Sequence, residues 1–215
     1  MGTYRLAASL AAAVAALACV TSAFARTPAL RPAATRHAVG TMQPAQWNVW
    51  YGAAAAFDRT GVTLWSPAST SADRTSSTLV TSKKTWRDQR VSLNMTTEAQ
   101  LRTGSAPNPW EVGWLMFRFR DRANYYWFTL KTNGFELGKK QGSDKQIFLV
   151  LGDFPNTTVG ATRRVEIRTQ GARIQVWVDG ARIVDYVDPN PLLAAGSIGL
   201  YEEDSRVRFD SLSLG

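Results

Sequence analysis

The segment NYYWFTLKTNGFELGKK, residues 124–140, decides how the rest of the chain is interpreted. Four aromatic residues, Tyr125 to Phe128, stand in a row, and the turn sequence Thr132-Asn133-Gly134 separates them from a second short apolar run. Two runs of strand-forming residues on either side of a glycine-containing turn are typical of a β-hairpin. Because successive side chains of a strand point to opposite faces, this hairpin is expected to have two different faces.

The two faces of the predicted hairpin, and of the strand before it, differ in composition. One face is apolar throughout and carries Leu115, Phe117, Phe119, Tyr126, Phe128, Leu130, Phe135 and Leu137. The opposite face is mixed and carries Trp114, Met116, Arg118, Arg120, Tyr125, Trp127, Lys131 and Glu136. We expect the apolar face to form the core of a β-sandwich and the mixed face to look outward.

Aromatic rings beside arginine, lysine and a carboxylate are a combination that suits carbohydrate. The C–H faces of a sugar ring stack on indole and phenol rings, and its hydroxyl groups take charged, bidentate hydrogen-bonding partners. The sequence therefore predicts a carbohydrate-binding face formed by Trp114, Arg118, Tyr125, Trp127 and Lys131. Cross-strand pairs that only stabilise the sheet are the alternative explanation for the same pattern.

The remainder of the chain repeats the strand pattern. From about residue 46 onward, short β-rich runs alternate with clusters of Gly, Pro, Asn, Asp and Ser, and no long helical pattern interrupts them. Asp179-Gly180 is the strongest hairpin signal among these turns. More than ten short strands predict an all-β sandwich or a barrel.

The first 45 residues do not share this pattern. Residues 1–25 combine Arg5, an alanine-rich apolar run and the sequence Ala23-Phe24-Ala25, which predicts a cleaved signal peptide. Residues 26–45 are rich in Pro, Ala, Thr and Arg and predict a flexible tether, so that the folded domain spans 46–215. The protein is accordingly expected to be secreted, periplasmic or on the cell surface. Lipid anchoring through Cys19, the single cysteine, is the alternative at this end.

The charge of the chain argues against nucleic acid as a partner. The net charge is +8, but the arginines are scattered and no run of five or more cations occurs. An acidic glycan or an anionic cell surface remains open as a partner. No segment after the signal peptide has the roughly 20 apolar residues of a transmembrane helix.

Three stretches of the sequence resemble a known family. "YYWFTLKTNGFELGKK", "RRVEIRTQGARIQVWVDGARIVDYVD" and "GSIGLYEEDSRVRFDSLSL" are similar to the concanavalin-A-like lectin and glucanase superfamily. They most resemble bacterial secreted domains of the 3-keto-disaccharide hydrolase family, which are related to family 16 glycoside hydrolases. The resemblance covers residues 46–215 and implies a jelly roll of two antiparallel sheets with a concave glycan-binding face.

The resemblance also implies a structural calcium ion. Many relatives use the aspartate of the last strand as a ligand, which is Asp210 in this chain. Asp204 is a second candidate, because calcium takes oxygen ligands and both residues lie near the C-terminus. The calcium-loop pattern D-x-[DN]-x-[DN]-G is absent, and no organic cofactor is expected.

Catalysis is harder to predict than binding. The Glu-x-Asp-x-x-Glu strand of true family 16 glucanases is absent, and the only histidine, His37, lies in the predicted tether. Glu136 is the best candidate for a catalytic carboxylate, because it shares the mixed face with Trp127 and Arg118. A salt bridge to a neighbouring lysine or arginine is the alternative role for Glu136. A lyase that uses Tyr125 and Lys131 on an acidic glycan is a further alternative.

Three functions remain compatible with the sequence. The first is a secreted domain that binds a polysaccharide or oligosaccharide on its concave face. The second is a glycoside hydrolase of the 3-keto-disaccharide hydrolase type with Glu136 as acid or base. The third is a structural or adhesion domain of the cell envelope.

Overall fold

A computed structural model of the chain describes residues 42–52 and 54–215. The predicted signal peptide, Cys19, His37 and most of the predicted tether lie outside these residues. After a short 3-10 turn at Pro44–Gln46, the described residues form fourteen strands and no α-helix. None of the described segments is a helix long and apolar enough to cross a bilayer.

The strands follow one another along the whole domain. In chain order they are β1 Trp47–Tyr51, β2 Ala54–Phe57, β3 Gly61–Trp65, β4 Ser77–Ser82, β5 Arg90–Gln100, β6 Gly113–Asp121, β7 Asn124–Lys131, β8 Gly134–Gln141, β9 Ile147–Gly152, β10 Thr162–Gln170, β11 Arg173–Val178, β12 Ala181–Val187, β13 Ser197–Glu203 and β14 Ser205–Leu214. The predicted turn at Asp179-Gly180 is confirmed, since both residues have positive φ, as a two-residue hairpin turn requires.

The fourteen strands form two antiparallel sheets of seven strands each. The first sheet has the order β1-β4-β13-β6-β7-β8-β9, and the second has the order β12-β11-β10-β5-β14-β3-β2. Some paired strands follow one another in the chain, and other paired strands are distant in sequence, as in a jelly roll. The predicted all-β jelly-roll sandwich is confirmed.

The main core lies between the two sheets. It takes alternate residues of each strand, among them Leu115, Phe117, Tyr126, Phe128 and Leu130 of β6 and β7. These are residues of the apolar face that the sequence predicted. Met42, which the sequence pattern assigned to the tether, is also part of this core with 2% of its surface exposed.

The alternation of β6 breaks at Arg118. Arg118 has a φ of 47°, and the register between β6 and β7 shifts between Phe117 and Asp121. An irregularity of this kind changes which face the following side chains occupy. Phe119 consequently joins Trp114 and Met116 on the outer face of the first sheet, whereas the sequence predicted it for the core.

Candidate functional site

The outer face of the first sheet carries a second apolar cluster, separate from the main core. Its centre is a group of four packed rings, here called the aromatic floor, which consists of Trp114, Tyr125, Trp127 and Tyr201. The ring of Trp114 lies 6.0 Å from that of Trp127 and meets that of Tyr201 edge-on at 5.6 Å. The ring of Tyr125 lies 6.2 Å from that of Trp127. Pairs at these separations stabilise each other beyond the area that they bury.

Trp127 is the lowest ring of the aromatic floor and has no exposed surface. It lies opposite Gly138 of β8, and a Cβ atom at Gly138 would stand 2.2 Å from the indole ring. A glycine within a strand often marks such a close approach. Trp127 is therefore held over the backbone of β8, and it supports the other rings instead of facing solvent.

Two cavities open above the aromatic floor. The larger one, the tyrosine cavity, has a volume of about 330 Å³, and its lining includes Tyr51, Tyr125, Tyr201, Arg122 and Lys140. The other, the tryptophan cavity, has a volume of about 300 Å³ and is lined by Trp110, Trp114, Glu136, Gln146, Phe148 and Glu203. Both volumes lie at the lower end of the range of about 300–1,000 Å³ that is typical of ligand pockets.

Glu203 is the carboxylate that both cavities share. It lies at the end of β13, two residues after Tyr201, so both side chains point to the outer face. The hydroxyl of Tyr201 donates a hydrogen bond of 2.6 Å to Glu203 Oε1. Burial raises the pKa of Glu203 to about 7, and the negative charge of nearby Asp204 acts in the same direction. Glu203 therefore exchanges its proton near neutral pH and can either donate or accept a hydrogen bond.

Glu136 and Lys131 lie on the same face, as the sequence predicted. Lys131 Nζ is 2.6 Å from Glu136 Oε1, so the two form the salt bridge that was the alternative role for Glu136. Glu136 nevertheless lines the tryptophan cavity, together with Glu203. Lys131 lies beyond it, on a shallower depression that it shares with Glu136 and Phe148. The structure thus brings two carboxylates to one cavity.

Arg118 does not lie on the aromatic face. Its side chain is fully buried at one end of the sandwich, where it donates hydrogen bonds to the carbonyl oxygens of Arg87, Gly171 and Leu192. It also meets Asp88 at 3.2 Å. The irregularity in β6 turns Arg118 away from the face that strict alternation predicted. Its role in this structure is to tie loops of the two sheets together.

Asp204 and Asp210 are not brought together as a calcium site. Asp204 is buried, pairs with Arg102 at 2.8 Å and accepts hydrogen bonds from Ser69. Asp210 lies six residues further along the chain, roughly 20 Å away in an extended strand, and accepts a hydrogen bond from Asn94. Within residues 42–52 and 54–215, no three His, Cys, Asp or Glu side chains group in a way that would hold a metal ion. The carboxylates predicted as ligands therefore do not fit a shared calcium ion.

Of the predicted binding residues, Trp114 and Tyr125 line the cavities, Trp127 lies beneath them, and Lys131 lies at the margin. The sequence pattern did not reveal further lining residues, namely Tyr51, Trp110, Arg122, Gln146, Phe148, Tyr201 and Glu203. The sequence did contain a signal for Tyr201 and Glu203. The two residues are two positions apart on one strand, so their side chains point to the same face. None existed for Trp110, which lies in the loop between β5 and β6.

The two seven-stranded antiparallel sheets define the class of protein as a jelly-roll β-sandwich. The model of one family, the 3-keto-alpha-glucoside-1,2-lyase-like domain, matches residues 45–215. The chain belongs to this family, which confirms the resemblance drawn from the sequence.

Solved structures share the fold at low sequence identity. The carbohydrate-binding module CBM66 from Bacillus subtilis superposes with a TM-score of 0.63 and 16% identity, over 79% of this chain and 94% of that one. A Bacillus subtilis protein of unknown function with a galectin-like fold gives 0.60 and 14%, over 79% and 89%. The VIP36 exoplasmic/lumenal domain, in a Ca²⁺/Man2-bound form, gives 0.57 and 12%, over 82% and 83%. No curated protein matches the chain.

Proposed function

We propose that this domain binds carbohydrate in the cleft that the two cavities form on the outer face of its first sheet. The observation that carries the proposal is the position of Trp114, which lines both cavities beside polar side chains. Its indole N–H is already used in a hydrogen bond of 2.9 Å to the carbonyl oxygen of Trp110. The ring of Trp114 therefore contributes an apolar surface and not a hydrogen-bonding group.

The polar side chains around the cleft suit the hydroxyl groups of a sugar. Arg122 stacks on Tyr51, with its guanidinium carbon 4.7 Å from the ring centroid, and it forms no salt bridge among the described residues. Gln146 offers both a donor and an acceptor. Glu203 changes its protonation near neutral pH. The cleft thus combines ring surfaces with a small number of directional polar groups, as small-molecule sites commonly do.

Family membership and the fold support the same proposal. The family is described by a glucoside, and two structural neighbours are a carbohydrate-binding module and a domain in a Man2-bound form. Because one fold hosts many functions, the assignment to this chain rests on its own cleft residues.

A glycan panel with the purified protein tests the proposal. We expect saturable binding that quenches tryptophan fluorescence. The Arg122→Ala and Gln146→Ala variants should each weaken binding about fivefold, since one hydrogen bond contributes roughly 1 kcal/mol. Arg168→Ala, on the outer face of the second sheet, is the control and should bind as the parent does. Folded Arg122→Ala and Gln146→Ala variants that bind every glycan like the parent would refute the cleft assignment.

A second candidate function is catalysis, which the two carboxylates of the tryptophan cavity favour. In the 1,2-elimination that the family description names, a base removes the proton from C2 of a 3-keto-glucoside. The electron pair forms the C1–C2 double bond, the bond from C1 to the departing oxygen breaks, and that oxygen takes a proton from water. Glu203 is suited to the role of base, because its pKa of about 7 leaves it partly ionised at neutral pH and makes it a stronger base than an ordinary carboxylate.

The products distinguish elimination from hydrolysis and from simple binding. Elimination from a 3-keto-glucoside gives an unsaturated ketone that absorbs in the ultraviolet, whereas hydrolysis releases a saturated reducing sugar. Glu203→Gln should abolish the elimination, and Glu136→Gln tests the carboxylate that the sequence predicted. If neither product forms from 3-keto-glucosides, the domain is a binding module. Failure to bind any glycan would favour the structural or adhesion domain of the cell envelope.

We also propose export of the protein through residues 1–25, followed by a tether that ends before Met42, which is part of the core. The composition of these residues supports the proposal. N-terminal sequencing of the protein recovered from its producing cells tests it. A mature chain that begins at Arg26 is expected, and a lipid-modified chain that begins at Cys19 would contradict this cleavage site.

A further inference from the structure

A further cavity opens on the outer face of the second sheet, away from the aromatic floor. It has a volume of about 450 Å³, and its lining includes three arginines, Arg90, Arg168 and Arg173. These residues come from the neighbouring strands β5, β10 and β11, and Arg168 lies directly opposite Arg90. The depression, here called the arginine cavity, therefore gathers guanidinium groups from three strands.

Two of these arginines share a single carboxylate oxygen. Arg90 Nε lies 3.0 Å from Glu166 Oε1, and Arg168 Nε donates a hydrogen bond of 2.6 Å to the same atom. Like charges directly opposite each other on neighbouring strands are destabilising. One carboxylate neutralises only one of the two cations, so the pair carries an excess of positive charge.

The terminal nitrogens of this pair are available to a ligand. Among the described residues, Arg90 and Arg168 each use only Nε in a hydrogen bond. Their side chains are 42% and 44% exposed, so a ligand in the cavity can reach them. Arg168 also stacks on Trp177, with its guanidinium carbon 4.5 Å from the ring centroid. This contact orients the plane of the guanidinium group.

The charges beside this pair do not remove the excess. Arg173 gives Nε and Nη2 to the two oxygens of Asp185, and Arg182 meets the same carboxylate at 3.0 Å. Asp88 is the acidic side chain that lines the cavity, and it is already paired with Arg118 at 3.2 Å. Five guanidinium groups thus face three carboxylate side chains in and around the arginine cavity.

We propose that the arginine cavity binds a phosphate group, either as the free ion or as a phosphate monoester. The tetrahedral group presents three or more oxygens in different directions, so it accepts hydrogen bonds from guanidinium groups of different strands at once. It also carries nearly two negative charges at neutral pH. A carboxylate has two oxygens in one plane and a single charge, and would satisfy fewer of these donors. The inference goes beyond the proposed function, and neither depends on the other.

Calorimetry with inorganic phosphate and with acetate tests the inference at the same ionic strength. The parent protein should bind phosphate saturably, with one ion per chain, and at least ten times more tightly than acetate. Arg90→Lys and Arg168→Lys retain the positive charge but lose the planar fork of donors. Each should weaken phosphate binding about tenfold, since hydrogen bonds between charged groups are strong.

Arg206→Lys is the matched control on the same face. Arg206 also stacks on an indole, that of Trp65 at 4.9 Å, and also pairs with a carboxylate, that of Glu98 at 2.8 Å. It does not share that carboxylate with a second arginine among the described residues, and it does not line the cavity. The control variant should therefore bind phosphate as the parent does.

Several results would overturn the inference. These are a parent protein that binds phosphate no more tightly than acetate, equal weakening by all three lysine variants, and no weakening by Arg90→Lys and Arg168→Lys. The same titrations with glycans keep the two proposals apart. Loss of phosphate binding with retained sugar binding refutes only the phosphate site, and a parent that binds phosphate but no sugar refutes only the proposed function.

Vesicles distinguish a soluble phosphate from the headgroup of a lipid. The probes are vesicles of phosphatidylcholine alone and of phosphatidylcholine with phosphatidic acid, a phosphate monoester, in a four-to-one ratio. Sedimentation of the protein only with the second kind, reduced in Arg168→Lys but not in Arg206→Lys, supports a site for membrane-bound phosphate. Calorimetric binding of inorganic phosphate without sedimentation supports a site for soluble phosphates. Sedimentation that Arg206→Lys reduces as much as Arg168→Lys counts against the arginine cavity.

Discussion

The outer faces of the two sheets differ in how their aromatic side chains are covered. On the second sheet, arginines and carboxylates of neighbouring strands form exposed pairs, here called the arginine ladder, which consists of Arg90, Arg168, Arg173, Arg182 and Arg206 with Glu98, Glu166 and Asp185. Its tryptophans are covered by guanidinium groups, with Arg168 4.5 Å from the ring centroid of Trp177. On the first sheet, by contrast, the rings of the aromatic floor lie under cavities.

The carboxylates of the two regions also differ in the direction of their pKa shifts. Pairing with Arg173 lowers the pKa of Asp185 on the arginine ladder to about 2. Burial raises the pKa of both Glu202 and Glu203 at the end of β13 to about 7. A charged group that is buried without enough partners destabilises the folded state, and such groups concentrate at functional sites. The raised pKa of Glu203, which lines both cavities, supports the proposal that a ligand binds on the outer face of the first sheet.

The largest expected effect comes from the ion network beside the cleft. Arg102→Met leaves Glu111 and Asp204 buried without their cation, and breaking a buried pair in this way costs about 3–5 kcal/mol. We expect a loss of this size in the free energy of unfolding measured with urea. Arg206→Met is the control on the arginine ladder, where Arg206 meets Glu98 at 2.8 Å with both side chains exposed. That variant should lose about 1 kcal/mol. Equal losses would mean that the two regions do not differ as described.

The second largest expected effect is the change in folding stability with pH that Glu202 causes. The side chain of Glu202 points between the sheets, is fully buried, and has one oxygen, Oε1, with no hydrogen-bond partner among the described residues. Because its folded pKa is raised, the folded state holds this proton up to about pH 7 while the unfolded state releases it near pH 4.5. Stability is therefore lost as the pH rises through this window.

Glu202→Gln removes this titration. The free energy of unfolding of the variant, relative to the parent, should increase by about 2–3 kcal/mol between pH 5 and pH 8. The Asp185→Asn variant on the arginine ladder should show a dependence of the opposite sign, and only between about pH 4 and pH 2, below the window of Glu202. The stabilising contribution of Asp185 is present above the unfolded pKa and is lost as the pH falls toward about 2. Parallel pH profiles for the two variants would refute the contrast between the regions.

The third effect tests the support of the aromatic floor. Gly138→Ala places a methyl group against the Trp127 ring, and overpacking of this kind costs about 1–3 kcal/mol. We expect a lower free energy of unfolding, a shift in tryptophan emission and weaker sugar binding. Gly199→Ala is the control on the same sheet, because the new methyl group would lie 3.0 Å from its nearest neighbour, the Cβ of Met116, and not 2.2 Å as at Gly138. A Gly138→Ala variant as stable as Gly199→Ala would show that Trp127 is not confined.

Alternation of residues along the strands was sufficient to predict the sandwich and much of its core. The apolar residues of β7 and β8 are buried where the hairpin pattern placed them, and Trp114 and Tyr125 line the cleft. Periodicity succeeds here because β7 and β8 pair with each other in continuous register along their whole length.

The remaining features depend on departures from alternation and on loops. The irregularity at Arg118 moves Phe119 to the outer face and buries the guanidinium group, and no residue type in β6 signals it. Asp204 was a calcium candidate because carboxylates near the C-terminus are common ligands. Its partner Arg102 is 102 residues distant in the chain, so the pair becomes visible only in the folded structure.

The contact between Gly138 and Trp127 constrains the order in which this sheet can change during evolution. An alanine at position 138 is harmful while the indole of Trp127 lies against it, because no space exists for the methyl group. If a smaller side chain replaces Trp127 first, the same alanine fills part of the void and becomes favourable. The two positions therefore show sign epistasis, and a lineage that abandons the aromatic floor has to lose the tryptophan before it loses the glycine.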